Sequence, residues 1–474
     1  MRKTKIVCTI GPSTDDDNIL REMMLAGMNV ARFNFSHGDY EMHKKRFEQV
    51  CRLRSELNLN VATLIDTRGP EIRLGKFKDD KPVEIFDDEI FTLSTEDDVI
   101  GTSKRAGISF KKLPEDISIG TSILINDGAV ELRVEKISGG DIDCRVICGG
   151  ILSNNKGINV PGVELSMPYL SENDMSDLEF AAKMGYDFIA ASFVRTSADV
   201  NYLRRFIKSL GWNTPRIIAK IENMDGVNNI DEIIEAADGI MVARGDMGVE
   251  IPFEQIPAIQ KELIQKGYMA GKQVITATQM LESMITNLRP TRAEITDVAN
   301  AIYDGTSAIM LSGETAAGKH PVEAVKTMAR IAVTTEGNIN YISRLSKRPL
   351  TSGKDVTNAI SHAAVTTAHD IGAKAIITVT KSGSTARDLS KYRPECTIIG
   401  GTPNEIVYRQ MALSWGVIPM LMDEKQSTDE LFDSAIETAR NNEILEVGDV
   451  VVITAGIPLG IAGTTNMLKV DTVS

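Results

Sequence analysis

Lys220, Glu222 and Asp246 stand at the ends of two apolar runs, RIIAKIEN and GIMVARGDMG. Side chains two apart in a strand point the same way, so Lys220 and Glu222 face one cavity while Ile221 faces the other side. An ammonium beside carboxylates at strand ends is the arrangement of a metal-assisted phosphoryl-transfer site. The acids grip a hard cation, and the fixed positive charge meets a phosphoryl group. An isolated Lys-x-Glu is usually a solvent-facing ion pair worth little, so the rest of the chain decides. In ARFNFSHGD, Arg32, Asn34 and Ser36 fall on one face of an extended segment and Phe33 and Phe35 on the other. Arg32 offers a planar fork suited to phosphate; Asn34 and Ser36 offer oxygens to a cation or donors to a nucleotide phosphate. IDTRGPEIR adds Asp66 and Thr67 at another strand end, then Glu71 and Arg73 past a Gly-Pro turn. On its own that segment could be a hinge whose charges face water, as ARFNFSHGD alone could be a capped strand-to-helix turn. TVTKSGSTARDLSKY reads as strand, loop and helix, in which Ser382, Ser384 and Thr385 would form an anion cradle, although similar loops often just cap a helix.

The elements that must position these groups are legible in the periodicity. KTKIVCTIG, MNVARFNF and NVATLIDT are strands separated by amphipathic helices, the first with Asp15 to Asp17 at its start and Gly27 at its C-cap. From Pro70 to Pro168 the pattern becomes short strands with turn signals at Asn126 to Gly128 and Ser138 to Gly140, an inserted β domain. Alternation then resumes with FIAASFV, RIIAKIE, GIMVAR, QVITATQM and SAIMLSG. Three strands before the insertion and five after it predict an α/β fold, a (β/α)8 TIM barrel with an inserted small β-barrel domain and a C-terminal α/β domain. In such a barrel, reactive groups sit at the C-terminal strand ends. The expected boundaries are 1–69 and 168–340 for the barrel, 70–167 for the insertion and 341–474 for the third domain.

Composition narrows the function classes. No apolar run approaches the roughly 18 residues that span a bilayer, and the N-terminus has no signal-peptide h-region, which predicts a cytoplasmic protein. A net charge of -13 disfavours nonspecific attraction to nucleic acid or anionic membranes, so positive charge toward an anionic substrate must be local. The five cysteines lack any Cys-x-x-Cys pair, which suggests neither a disulfide framework nor a zinc site.

Taken together, MRKTKIVCTIGPS, ARFNFSHGD, DTRGPEIR, NKGINVPG, AKIEN, VARGDMG, ATQMLESM, RPTRAE and MLSGETA span nearly the whole chain, and in this order the chain resembles the pyruvate kinases. The resemblance implies transfer of the phosphoryl group of phosphoenolpyruvate to ADP, giving ATP and pyruvate in the last step of glycolysis. It implies Mg²⁺ (or Mn²⁺) on Glu222 and Asp246, Lys220 beside the transferring phosphoryl, and Arg32 as a second phosphate contact. K⁺ would lie among Asn34, Ser36, Asp66 and Thr67. Members that work without potassium tend to carry lysine where this chain has Glu71, so potassium activation is expected. Asn34, His37, Arg73 and Lys156 would contact the nucleotide, with Lys156 carried by a lid-like inserted domain. Gly245, Asp246 and Thr278 would receive the substrate carboxylate, with Thr278 next to the carbon that is protonated. Ser312 and Glu314 are candidates for a proton relay, or only shape a strand end. Ser382, Ser384 and Thr385, closed over by AGIPLGIAGTTN, would bind a phosphorylated effector: fructose 1,6-bisphosphate, ribose 5-phosphate or AMP. A homotetramer without the extra C-terminal domain of some bacterial members is implied. Two other readings stand beside this one: a magnesium-dependent aldolase or lyase acting on pyruvate or its enolate on the same barrel, and a sugar-phosphate sensor with an inactive barrel.

Overall fold

A computed structural model describes residues 1–346, 355–425, 427–459 and 465–474. Eight parallel strands close into a barrel in the order Lys5–Thr9, Val30–Asn34, Ala62–Asp66, Phe188–Ala191, Arg216–Ile221, Gly239–Ala243, Gln273–Ala277 and Ala308–Leu311, the last pairing with the first. These are the eight runs read as strands from the sequence. Nearly every residue in them is buried, as parallel strands covered on both faces require. The first helix, Asp17–Ala26, starts where Asp16 accepts from the Asn18 N–H and ends at Gly27, whose φ of 117° only glycine adopts cheaply.

The insertion after the third strand is a rolled seven-stranded sheet with a separate two-stranded ribbon. Its two edge strands, Ile72–Arg73 and Arg105–Gly107, meet through a single bridge, Leu74 to Ile108, flanked by hydrogen bonds from Gly75 N to Gly107 O (2.8 Å) and Ser109 N to Arg73 O (3.0 Å). The expected small β barrel is therefore closed along one seam by a few bonds. The hairpin at Asn126 to Gly128 turns through left-handed Asn126 and Asp127 (φ 57° and 56°).

The third domain is a five-stranded sheet ordered Val417–Leu421, Thr397–Thr402, Ala375–Val379, Val450–Gly456 and Thr465–Thr472, parallel except for the last strand. Its turn Met411–Leu413 seals the floor of the barrel: Ala412 and Leu413 pack with Val7, Leu64, Phe188 and Ile275. Polar contacts ring that plug. Lys5 Nζ donates to Val417 O (2.7 Å), Gln273 Nε2 to Ser414 Oγ (3.0 Å), and Arg393 Nη2 to Gly305 O (2.9 Å). All five cysteines are free. No helix among the described residues is long and apolar enough to cross a membrane.

Lys5 carries a testable consequence of this docking. Burial, with Arg2 adding and Glu336 opposing, brings its ammonium down to about 7. The unfolded chain keeps that proton up to its ordinary value of 10.5. Between those values the unfolded state binds more protons, so Lys5 makes stability rise with pH across this window. The slope is at most about 1.4 kcal/mol per pH unit. Thermal unfolding of the wild type and Lys5→Met between pH 7 and 9 should therefore differ in slope, with the wild type gaining more on alkalinisation; parallel curves would refute the assignment.

Candidate active site

A cleft of about 870 Å³ opens between the C-terminal end of the barrel and the inserted domain. Arg32, Asn34, Ser36, Asp66, Thr67, Lys220, Glu222 and Asp246 line its barrel side, and Arg73 and Lys156 its opposite side, with His37 at an exposed position. The side chains selected from separate motifs are thus brought to one place by strands two, three, five and six.

The floor of the cleft is a buried charge cluster. Lys220 Nζ lies 2.8 Å from Glu222 Oε1 and 3.1 Å from Asp66 Oδ1. It also donates to Ser192 Oγ at 2.8 Å. Arg32 Nε donates to Asp66 Oδ2 (2.6 Å) and its Nη1 to Thr9 Oγ1 (2.9 Å). The alternation read from ARFNFSHGD holds: Phe33 and Phe35 are buried in the core while Arg32, Asn34 and Ser36 face the cleft.

The two buried acids differ sharply. Burial pushes the Asp66 carboxyl up, but Arg32 and Lys220 outweigh it and hold the group below its ordinary value. Burial pushes Glu222 up to about 8; Lys220 and the Phe193 N–H oppose that, and Asp246 adds to it. Lys220 is itself held above its ordinary value, because Asp66, Glu222 and Asp246 overcome the cost of its burial. Glu222 Oε2 accepts from Phe193 N at 2.6 Å, whereas Oε1, despite its proximity to the ammonium, has no aligned hydrogen-bond donor. A fully buried carboxylate whose one ammonium partner is shared with Asp66, with Asp246 nearby, fits a hard divalent cation. Among the described residues no cluster of three or more acidic, histidine or cysteine side chains is poised to hold a metal.

Other expectations are met differently. Gly245 and Thr278 lie against each other, Gly245 N donating to Thr278 Oγ1 at 2.7 Å, and neither is on the cleft wall. Thr278 has a φ of 68°, a strained conformation at the end of the seventh strand. Glu314 is fully buried, and its two oxygens accept from Leu281 N (3.0 Å) and Ser312 N (2.7 Å), contacts that shape the eighth strand end, while the buried Ser312 hydroxyl has no protein partner among the described residues. Arg73 is drawn toward Glu71, its Nε donating at 2.8 Å, while Nη1 reaches Asn155 O at 2.8 Å. Ser382, Ser384 and Thr385 lie in the third domain, at the opposite end of the barrel. The Thr385 hydroxyl is buried against Thr465 Oγ1 (2.6 Å), and Ser382 Oγ meets Ser384 Oγ at 3.0 Å. Residues 460–464 of AGIPLGIAGTTN lie outside the described residues.

Sequence reasoning missed Ser192, which bridges Lys220 and Asp66 (3.3 Å to Oδ1), and Thr9, which steadies Arg32. The available signal was a hydroxyl residue at or just past the end of a barrel strand. It also missed Asn159, which ties the inserted domain to the barrel rim by donating to Glu250 Oε1 at 2.8 Å.

This constellation, a barrel whose mouth gathers fixed cations and metal-ready acids under a β lid, defines a barrel enzyme built to handle phosphorylated anions. The family description "Pyruvate kinase, barrel domain" matches residues 1–325, and "Pyruvate kinase, alpha/beta domain" matches 358–471. The chain is 50% identical over 473 residues to the pyruvate kinase of Clostridium perfringens, covering 99% of this chain and 100% of that one. It is 48% identical over 475 residues to that of Geobacillus stearothermophilus, of which it covers 81%. A crystal structure of a pyruvate kinase from Cryptosporidium parvum superposes with a TM-score of 0.93 at 40% identity, covering 100% of this chain and 96% of that one. The chain belongs to the pyruvate kinase family and is an enzyme with that activity.

Where the chain leaves the barrel for the lid, Gly69 (φ 78°) presses on the site from behind. A Cβ there would lie 2.7 Å from Phe193 Cδ2 and 2.9 Å from Ser192 Cβ, the residues that hold Glu222 and Lys220. Gly69→Ala is expected to cost more than about 1 kcal/mol through backbone strain alone and to displace Ser192. Both the thermal midpoint and kcat should fall; a variant with wild-type values for both would show that this contact does not position the cluster.

Proposed function

We propose that the chain transfers the phosphoryl group of phosphoenolpyruvate to ADP within this cleft, and that the observation carrying the reading is the buried Lys220–Glu222–Asp66 cluster with its undersupplied carboxylate. In the transfer, the bond between phosphorus and the enol oxygen breaks, a bond to a β-phosphate oxygen of ADP forms, and the enolate takes up a proton to give pyruvate. Glu222 and Asp246 would hold Mg²⁺ or Mn²⁺, which when bound supplies positive charge to the phosphoryl oxygens. Lys220, kept protonated by its acids and oriented by Ser192, offsets charge on the transferring group. Arg32, aimed by Asp66 and Thr9, provides a second fixed positive contact. Neither cation must reorganise when substrate arrives, which is where preorganised charge is most effective.

Asn34, Ser36, Asp66 and Thr67 form an oxygen-only set suited to K⁺. His37, Arg73 and Lys156 would meet the nucleotide together with Asn34. The Gly245 and Asp246 backbone and Thr278 are assigned to the substrate carboxylate, reached by modest rotation of Thr278 away from Gly245. The inserted domain, spanning 70–167 between barrel segments 1–69 and 168–340, acts as the lid that excludes water. The third domain, 341–474, binds a sugar phosphate or AMP through Ser382, Ser384 and Thr385, and the enzyme assembles as a homotetramer. Arg73 and Lys156 on the lid side of the cleft favour a nucleotide-using kinase over an enolate aldolase or lyase, which has no second phosphorylated substrate to hold.

A coupled assay of ATP formation from phosphoenolpyruvate and ADP should show full dependence on the divalent cation, and Lys220→Met should lower kcat by at least about 10²-fold. Activity that survives chelation of divalent ions, or persists in the variant, would overturn the roles of Glu222, Asp246 and Lys220. Replacing K⁺ by tetramethylammonium at constant ionic strength should sharply reduce turnover, and Glu71→Lys should relieve that dependence; equal rates in both salts would remove the potassium assignment.

A further inference from the structure

The fifth strand, Arg216–Ile221, carries Lys220 near one end with Glu222 just beyond it, and its other end begins with Arg216. The Arg216 guanidinium is a three-way fork. Its Nη2 donates to Ser382 O (2.9 Å), its Nε to Gln410 Oε1 (3.1 Å), and its Nη1 to Asp238 Oδ1 (3.3 Å). Asp238 immediately precedes the sixth strand, Gly239–Ala243, which leads to Asp246. One side chain from the barrel floor thus touches the Ser382 to Thr385 loop and the roots of both strands that deliver Lys220, Glu222 and Asp246.

The loop atom it holds belongs to a hinge-like peptide. The Ser382 carbonyl also accepts from Arg387 Nη1 (3.1 Å), and the N–H of that same planar peptide, Gly383 N, donates to Thr380 Oγ1 (3.0 Å). Because the peptide is rigid, a ligand that draws the Gly383 N–H away from Thr380 must also turn the Ser382 carbonyl off its guanidinium partners. Gly383, at φ 74°, is the residue type that permits such a rotation at low cost.

We propose that Arg216 is the positioning residue that couples occupancy of the Ser382 to Thr385 loop to the geometry of Lys220 and Glu222, reading the orientation of the Ser382–Gly383 peptide. The proposal rests on the reading of that loop as a phosphate-binding site. Strand five is the transmitting body: it is hydrogen-bonded on both sides, to strands four and six, and so moves as part of the barrel wall. The coupling is reciprocal, since substrate binding at the mouth must bias the same peptide.

The test uses the full-length enzyme and two variants, Arg216→Met and Arg216→Lys. The lysine keeps a charge beside Asp238 but cannot hold the loop carbonyl and Gln410 at once. Calorimetric binding of fructose 1,6-bisphosphate, ribose 5-phosphate and AMP is measured alongside the half-saturating phosphoenolpyruvate concentration with and without each. In the wild type one of these probes binds and lowers the half-saturating concentration. In both variants the same probe should bind at least as tightly, since the carbonyl contact that binding must break is gone, and kcat at saturating substrate should be unchanged, while the shift in half-saturation shrinks by about fivefold or more. Retained activation in both variants overturns the coupling role and leaves the effector site standing. Loss of probe binding in the variants makes Arg216 a ligand contact and also overturns it. A wild type that binds none of the three probes overturns the effector reading and the coupling together.

Discussion

Three acids and two cations share the mouth of this barrel, and one acid is left wanting. Burying charge is costly unless each group is met by partners. Asp66 is met twice, by Arg32 and Lys220. Glu222 is met by one N–H and by an ammonium that also serves Asp66 and Ser192, and it sits near Asp246 besides. Glu222 therefore stays the least compensated of the buried acids, with one ammonium shared among three neighbours.

The surrounding structure keeps that deficit in place. Phe193 adopts a φ of 53° and brings its N–H to Glu222 Oε2, so backbone strain is spent on fixing the carboxylate. Gly69 fits behind Phe193 and Ser192 because it lacks a Cβ. At the other end of the barrel Ala412 and Leu413 close the interior, and paired groups clamp the strand roots: Arg409 Nε reaches Asp187 Oδ1 at 2.7 Å just before strand four. A barrel gripped at its floor can hold its mouth rigid, which a site that works by fixed charge requires.

The parts of this arrangement that were legible in the sequence are those set by local periodicity. Eight buried parallel strands appear as apolar runs. The faces of Arg32 and Lys220 follow from the two-residue repeat, and helix ends such as Gly27 follow from backbone preference. What was not legible depends on contacts between distant segments. Ser192 is one serine among many until strand four is placed between strands three and five. The sequence left Glu314 open between a proton relay and a strand-end role, and only the packed structure shows the backbone N–H groups of Leu281 and Ser312 that it ties together. Thr278 and Gly245 were expected to receive the substrate carboxylate, and the structure shows what the sequence could not, that the Gly245 N–H, in a short helix after strand six, donates to the Thr278 hydroxyl. Arg216 carried no motif, because its significance comes from a domain contact 166 residues away in the chain.

The inserted domain adds charge of both signs to the cleft. The barrel side contributes Asp66, Glu222 and Asp246 together with Arg32 and Lys220, while the opposite side contributes Lys156 and an Arg73 held by Glu71. Burial also raises Glu71 and Glu250 above their ordinary values, the latter while it accepts from Asn159 of the lid. Desolvated acids and bases therefore line both walls, and a group buried between them is met by charge of either sign with little water to screen it.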